Sequence, residues 1–310
     1  MMQSTIGLDV SKDTLDAYHL ERDESQSFTN SKAGHKALIA WINEPARLVY
    51  EPTGPYHRAI VGALAQAEID LVEVNPRRLR RFADVLGVPA KTDCLDARLL
   101  ARMGQLLNLP ARPALSETFV QLKALLSARQ ALVKDRTAAK NRQKNLELSL
   151  LKKHARQRLK QIERQINDID KAIAERIQDD PELKARLAIL ESIPGLAALS
   201  ASALLIETPE LGSLNAKQIA SLAGLAPITR QSGKWAGKTF INGGRASLRR
   251  SLYMPALVAV RYNPYLKTFY ERLVKAGKPK KLALAAAMRK LIILANALLR
   301  EQRKWQTTPP

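Results

Sequence analysis

Between Ser116 and Asp180 the chain contains neither glycine nor proline, and no other feature restricts its fold so sharply. Leu, Ile, Ala, Lys, Arg and Gln fill nearly every position. Apolar residues recur at helical spacing, as Leu122, Leu125, Leu126, Leu132 and Val133, then as Leu159, Ile162, Ile166, Ile169 and Ile173. This pattern predicts two long helices with some heptad character, ended by Asp179-Asp180-Pro181. The chain is thereby divided into an N-terminal domain over 1–110, a coiled-coil-like or oligomerisation segment over 115–182, and a C-terminal domain over 185–310. The basic face of the helical segment suits either a solvated stalk between subunits or direct contact with nucleic acid.

The flanking regions follow different periods. Thr5–Val10 reads as a short buried strand, with Leu15–Leu20 and Ser27–Asn30 joining it through polar turns. A helix over His35–Ile42, a strand over Arg47–Glu51, a helix over Tyr56–Ala67 and a strand over Leu71–Val74 follow. Three early strands and then alternating helices and strands predict an α/β domain with a mixed sheet. After residue 185 the pattern is mostly helical, opening with Leu187–Ile193, a Pro194-Gly195 turn and Leu196–Ile206. Ala226–Gly244, rich in Gly, Ser, Thr and basic residues, is an irregular loop or small hairpin. Leu282–Leu299 is the most apolar tract, but Arg289 and Lys290 interrupt it, so it reads as a buried helix and not as a membrane span.

Charge narrows the partners. The chain carries 50 Lys and Arg against 29 Asp and Glu, a formal net charge of +21. Residues 1–108 are nearly neutral, with 13 basic and 14 acidic side chains, whereas residues 181–310 hold 21 basic and 6 acidic ones. So positive a field points to a polyanion, and nucleic acid is the natural one. A single cysteine, Cys94, excludes disulfides and thiolate zinc sites within one chain and fits a reducing cytoplasm. His19, His35, His57 and His154 form no i, i+4 pair, so any metal should be oxygen-ligated. The first residues lack the basic segment and apolar run of a secretory leader.

Four acids stand where acids are disfavoured or grouped. Asp9 ends one apolar strand and Glu51 ends another, and a buried unpaired carboxylate costs several kcal/mol or takes up a proton. Asp93 and Asp96 lie one turn apart behind Thr92, a candidate N-cap, and project from one helix face. A set of hard oxygen ligands like this suits Mg2+ or Mn2+ and phosphodiester chemistry. Singly, each acid has an ordinary explanation as a cap or an arginine partner.

Two motifs mark the C-terminal half. Pro194-Gly195 between apolar helical runs matches a helix-hairpin-helix turn that aims amides at a phosphate, and equally a plain helix-helix turn. Gly243-Gly244-Arg245-Ala246-Ser247-Leu248-Arg249-Arg250 places a hydroxyl after a flexible double glycine and among three arginines. Arginine forks stabilise charge on an attacked phosphodiester, so Ser247 is a candidate nucleophile. It is also a reasonable N-cap for a helix over Leu248–Val260. Tyr253 is a weaker rival, because no histidine follows His154.

Together, Ile6-Gly7-Leu8-Asp9-Val10-Ser11-Lys12, Glu51-Pro52-Thr53-Gly54, Asn75-Pro76, Lys91-Thr92-Asp93-Cys94-Leu95-Asp96-Ala97-Arg98, Ser192-Ile193-Pro194-Gly195 and Ser247 through Ala256 resemble the insertion-sequence transposases with an N-terminal RuvC-like DEDD domain and a C-terminal transposase domain, the bridge-RNA-guided recombinases. The resemblance implies an RNase H-like fold, a divalent-metal quartet of Asp9, Glu51, Asp93 and Asp96, and Ser247 as nucleophile. It further implies a structured noncoding RNA pairing with donor and target DNA, and a tetramer with sites shared between subunits. Pro194, Gly195, Arg245, Arg249 and Arg250 are candidate nucleic-acid contacts. Two other functions fit the same residues, a RuvC-like metal-dependent junction nuclease in which Ser247 only caps its helix, and an RNA-binding architectural protein.

Overall fold

Strand β1 (Ser4–Val10) is the axis of the N-terminal unit, with all but Asp9 of its residues buried. In this computed structural model, which describes residues 3–87, 93–109, 111, 116–233 and 235–306, β1 pairs antiparallel with β2 (Thr14–His19), and β2 pairs antiparallel with β3 (Glu24–Thr29). On its other edge β1 runs parallel to β4 (Ala46–Tyr50), and β4 runs parallel to β5 (Asp70–Glu73). The order β3-β2-β1-β4-β5 is a mixed RNase H-like sheet, as expected. Helices α1 (Lys32–Ile42), α2 (His57–Gln66), α3 (Pro76–Val85) and α4 (Asp93–Leu107) cover it.

Strand alternation sorts the two faces. Ile6, Leu8 and Val10 share one core with Leu38 and Ile42 of α1 and Ile60 and Leu64 of α2. Val49 and Val72 face the other way, into a core with Leu79 and Ala83 of α3 and Leu99, Leu100 and Met103 of α4. Local chemistry starts the helices. Ser31 accepts from the Gly34 amide at 3.2 Å to cap α1, and Asn75 accepts from the Arg77 amide at 2.9 Å ahead of Pro76 at the start of α3. The Thr92 cap expected for α4 lies outside the described residues.

The chain separates into two compact units, Met1–Ser116 and Glu117–Pro310. The second opens with the two long helices, α5 (Glu117–Gln143) and α6 (Ser149–Gln178). Arg129 pairs with Asp170 and Lys140 with Glu163, so the helices run antiparallel as a hairpin. Near its tip Ala139, Leu159, Ile162 and Ile166 form a small cluster of their own. At its base Leu122, Leu126, Ile173 and Ile177 belong to the main helical core.

That core also takes in α7 (Pro181–Glu191), α8 (Ala198–Glu207), α9 (Ala216–Leu222), α10 (Ala246–Tyr262), α11 (Pro264–Lys275) and α12 (Lys280–Arg300). Between α9 and α10, β6 (Pro227–Ile228) pairs with β9 (Phe240–Ile241), and β7 (Gln231–Ser232) pairs with β8 (Trp235–Ala236). The loop or small hairpin expected there is thus a short antiparallel arm. Helix α12 is long and apolar enough to cross a bilayer, yet it packs against α7, α9, α10 and α11. Ala283, Ala287, Leu291, Ile292 and Ala295 are fully buried. Of the interrupting cations, Lys290 lies over the rings of Tyr265 and Phe269, at 5.8 and 5.5 Å.

Candidate active site

Parallel pairing brings the first two acids together. Leu8 and Tyr50 are the last paired residues of β1 and β4, and Asp9 and Glu51 come next on each chain. By the two-residue alternation Asp9 shares the face of Gly7, and Glu51 that of Val49, the side covered by α4. Parallel sheets hold their ligands at these carboxyl ends. Asp9, Glu51 and Asp96 line one cavity of about 470 Å³, with Lys12 and Arg80 at the same walls. All three acids are half-buried. Asp93 begins the same helix as Asp96, and its side chain lies outside the described residues.

The approach of α4 depends on two positions without side chains. A Cβ on Gly7 would sit 1.8 Å from the Ala97 carbonyl oxygen, and one on Gly104 would sit 2.4 Å from Val49 Cγ2. Helix and sheet touch backbone to backbone at Gly7, and at Gly104 the helix backbone rests on the Val49 side chain; these contacts carry Asp96 to the mouth of β1. Sequence reading passed over three neighbours. Asp16 stands directly opposite Asp9 across β1 and β2, a like-charge pairing that is destabilising by itself. Helix α3 exposes Arg77, Arg78, Arg80 and Arg81, a basic ridge beside the acidic cavity that the neutral average over residues 1–108 concealed. His35, buried in α1, meets Asn30 Oδ1 at 2.8 Å, while Asn30 Nδ2 donates to the carbonyls of Ser11 and Tyr56, both at the cavity wall.

Ser247 lies in the first turn of α10, whose N-cap is Arg245, so the serine does not cap the helix. Its hydroxyl donates to Glu207 Oε2 at 2.7 Å, and Gln130 Nε2 donates to the other carboxylate oxygen at 3.0 Å. The expected crown of three arginines is mostly committed elsewhere. Arg245 grips Glu210 in a two-pronged pair at 2.9 and 2.7 Å and donates to the Glu207 carbonyl at 2.9 Å. Arg249 donates to the carbonyls of Gly243 and Gly224. Arg250 is exposed and lines a second cavity of about 450 Å³ with Arg249, Tyr253 and Lys281.

Of the two glycines ahead of Ser247, Gly243 is open to solvent and Gly244 makes a close approach to the backbone of Gly224. Both residues have positive φ, +71° and +65°, and a Cβ on Gly244 would meet the Gly224 amide at 2.1 Å. Gly195 has a similar explanation. With φ at +109° it lies against α10, where a Cβ would come 2.6 Å from that of Ala259. The Pro194-Gly195 turn is therefore half-buried packing between α7, α8 and α10.

Residues 6–146 match the DEDD transposase model of IS110, and residues 187–271 match the model described as "Transposase IS116/IS110/IS902 family". The chain is 33% identical to the "Pilin gene-inverting protein" of Moraxella bovis over 320 residues, covering 98% of both chains. It belongs to the IS116/IS110/IS902 transposase family. The pilin gene-inverting protein of Moraxella lacunata is also 33% identical over 98% of both chains. An uncharacterized 43.6 kDa protein of insertion element IS110 from Streptomyces coelicolor is 32% identical over 124 residues, 39% of this chain and 31% of its own.

The two matched regions separate the candidate residues. The first contains Asp9, Glu51, Asp93 and Asp96, and the second contains Pro194, Gly195, Glu207 and Ser247. All of α6 falls between them. Among the described residues, no three His, Cys, Asp or Glu side chains form a ready-made metal cage. Mg2+ keeps several waters and needs only one or two direct carboxylates, so acids spaced around a cavity suit it chemically.

Proposed function

We propose that this transposase cuts and rejoins donor and target DNA by serine chemistry, with Ser247 forming a phosphoserine link and the carboxylate cavity assisting exchange. The observation that carries the reading is the convergence of Asp9, Glu51 and Asp96, distant in sequence, on one cavity of a transposase-family chain. A bound Mg2+ or Mn2+ would supply Lewis-acid stabilisation of a phosphoryl oxygen. Asp9, Glu51 and Asp96, with Asp93 as the fourth, are the residues to hold it. Lys12 and Arg80 orient the phosphate backbone at the same cavity by charge. Ser247 conserves the energy of the cut bond in its ester, as recombination without loss of DNA requires. The gene-inverting relatives carry a name of that kind.

Guidance by a structured RNA that pairs with both DNAs is part of the proposal, supported by the net charge of +21, which suits a polyanionic partner. So is a homo-tetramer in which the two candidate centres come from different subunits. Leu148, Leu150 and Leu151, 68%, 61% and 42% exposed at the tip of the α5–α6 hairpin, offer an apolar contact to another copy.

The test uses the purified protein, with the RNA it carries, on a supercoiled plasmid bearing its own gene and flanking DNA. A covalent protein–DNA adduct is expected in the wild type and is lost in Ser247→Ala. Cleavage at an unchanged rate by Ser247→Ala would favour a metal-dependent junction nuclease. Absence of a discrete copurified RNA would remove guidance from the proposal.

A further inference from the structure

We infer that Glu207 orients Ser247 and accepts its proton, an inference that rests on reading Ser247 as the nucleophile. A serine attacking phosphorus needs a proton acceptor within hydrogen-bond reach. Glu207 meets that condition, with Oε2 receiving the hydroxyl at 2.7 Å. Its other oxygen is fixed by Gln130 of α5 at 3.0 Å, so the carboxylate is held at both ends and the Oγ–H direction is set before DNA arrives. No histidine follows His154, which leaves the task to a carboxylate.

The position of Glu207 is hard to explain as scaffolding. It is the last residue of α8, the end at which the helix macrodipole disfavours an anion. Leu204 and Leu205 of α8 already share a core with Leu248 and Leu252 of α10, so the two helices do not need a serine–carboxylate bond to join them. Arg245 reinforces the arrangement from outside, by tying the Glu207 carbonyl and the Glu210 carboxylate to the start of α10.

In the attack, Oγ bonds to phosphorus as the bond from phosphorus to the leaving deoxyribose oxygen breaks. The Oγ proton passes to Glu207 Oε2, and the leaving oxygen takes a proton from water. On rejoining, a deoxyribose hydroxyl loses its proton to water as it attacks the phosphoserine, and Glu207 returns its proton to Oγ. The same carboxylate thus serves as base in cutting and acid in sealing.

The experiment compares Glu207→Gln, Glu207→Asp and Ser247→Ala in the plasmid assay, with adduct formation followed against pH. Glu207→Gln keeps an acceptor oxygen but not a base, and adduct formation should slow by about 10²-fold or more, with the acid limb of the rate profile flattened. Glu207→Asp should recover part of the rate and the limb. A folded Glu207→Gln with the wild-type rate and profile, while Ser247→Ala is inactive, overturns the inference and leaves the serine nucleophile standing. Equal defects in Gln and Asp with an unaltered profile also overturn it, since a mere tie between helices predicts that result. Adduct formation by Ser247→Ala removes both readings. If Glu207→Gln does not fold, Glu207→Asp and Gln130→Leu decide, because each keeps the carboxylate and misplaces it: slower adduct formation supports the inference, and an unchanged rate in both overturns it.

Discussion

In the carboxylate cavity, residues far apart in the chain meet because two parallel strands end side by side and a helix lies flat on them at Gly7 and Gly104. At Ser247 a helix start presents the hydroxyl, and a hydrogen-bonded chain from α5 through Glu207 fixes it. The first centre is thus held by backbone shape and the second by side-chain polarity. The surroundings differ in charge as well, a nearly neutral unit against a strongly basic one. A change in backbone packing should therefore disturb the shape of the cavity and not the placing of Ser247, and a change in polar chemistry around Glu207 the reverse.

The largest effect expected on the cavity side comes from Asp9→Asn, which keeps size and shape but removes the charge. Strand exchange on the plasmid substrate should fall by about three orders of magnitude or more, with a melting temperature no lower than that of the wild type, since the repulsion from Asp16 is relieved. If exchange persists near the wild-type rate, the acids are structural and the cavity has no part in the chemistry. Gly7→Val comes next. Its side chain must displace the Ala97 carbonyl, and forced overpacking of this kind costs about 1–3 kcal/mol. Calorimetry should show the N-terminal unit melting earlier, with exchange reduced as Asp96 moves away. A Gly7→Val protein with wild-type stability would show that α4 is not held by this contact.

How much of each centre was legible beforehand follows the same division. The strands announced themselves by alternation, and Asp9 and Glu51 stood out because they break apolar runs at strand ends. The long hairpin was legible because glycine and proline are missing from it. Glu207 was not, since it lies 40 residues from Ser247 and ends an ordinary apolar helix. Only the packing of α8 against α10 makes it a neighbour. Composition does not tell Gly243 from Gly244, because glycine permits both freedom and close approach: Gly243 has open space around it, and Gly224 occupies the space a side chain on Gly244 would fill. The pairing of Arg245 with Glu210 was equally hidden, because that partner is 35 residues away.

A smaller effect is expected from Gly195→Ala. The new Cβ meets Ala259 and the backbone is left-handed at φ +109°, so the helical unit should lose roughly 1–3 kcal/mol. If the turn instead served mainly to bind phosphate, affinity for duplex DNA would fall while the melting temperature stayed put. That pair of measurements separates packing from ligand contact at a motif that fits both.

The smallest expected effect is on pH response, and it belongs to the N-terminal unit. Burial holds the His35 imidazole below its ordinary value of 6.5, so the folded unit keeps it neutral while the unfolded chain takes up a proton as pH falls through about 6.5. Stability from this group is complete above that value and declines below it, until the folded form is protonated too. Glu44, held below its ordinary 4.5 chiefly by the hydrogen bond with His19, adds a loss only as pH drops past about 4.5. Between these values the decline should therefore trace to His35, and protection against hydrogen exchange, relative to the intrinsic rate at each pH, should fall first in α1 and in the Asn30 turn that supports Ser11 and Tyr56. His35→Gln should abolish this dependence between pH 6.5 and 5 and keep a donor to Asn30. If the protection of α1, relative to the intrinsic exchange rate, is equal at pH 7.5 and 5.5 in the wild type, His35 is not the group through which acid reaches the cavity wall.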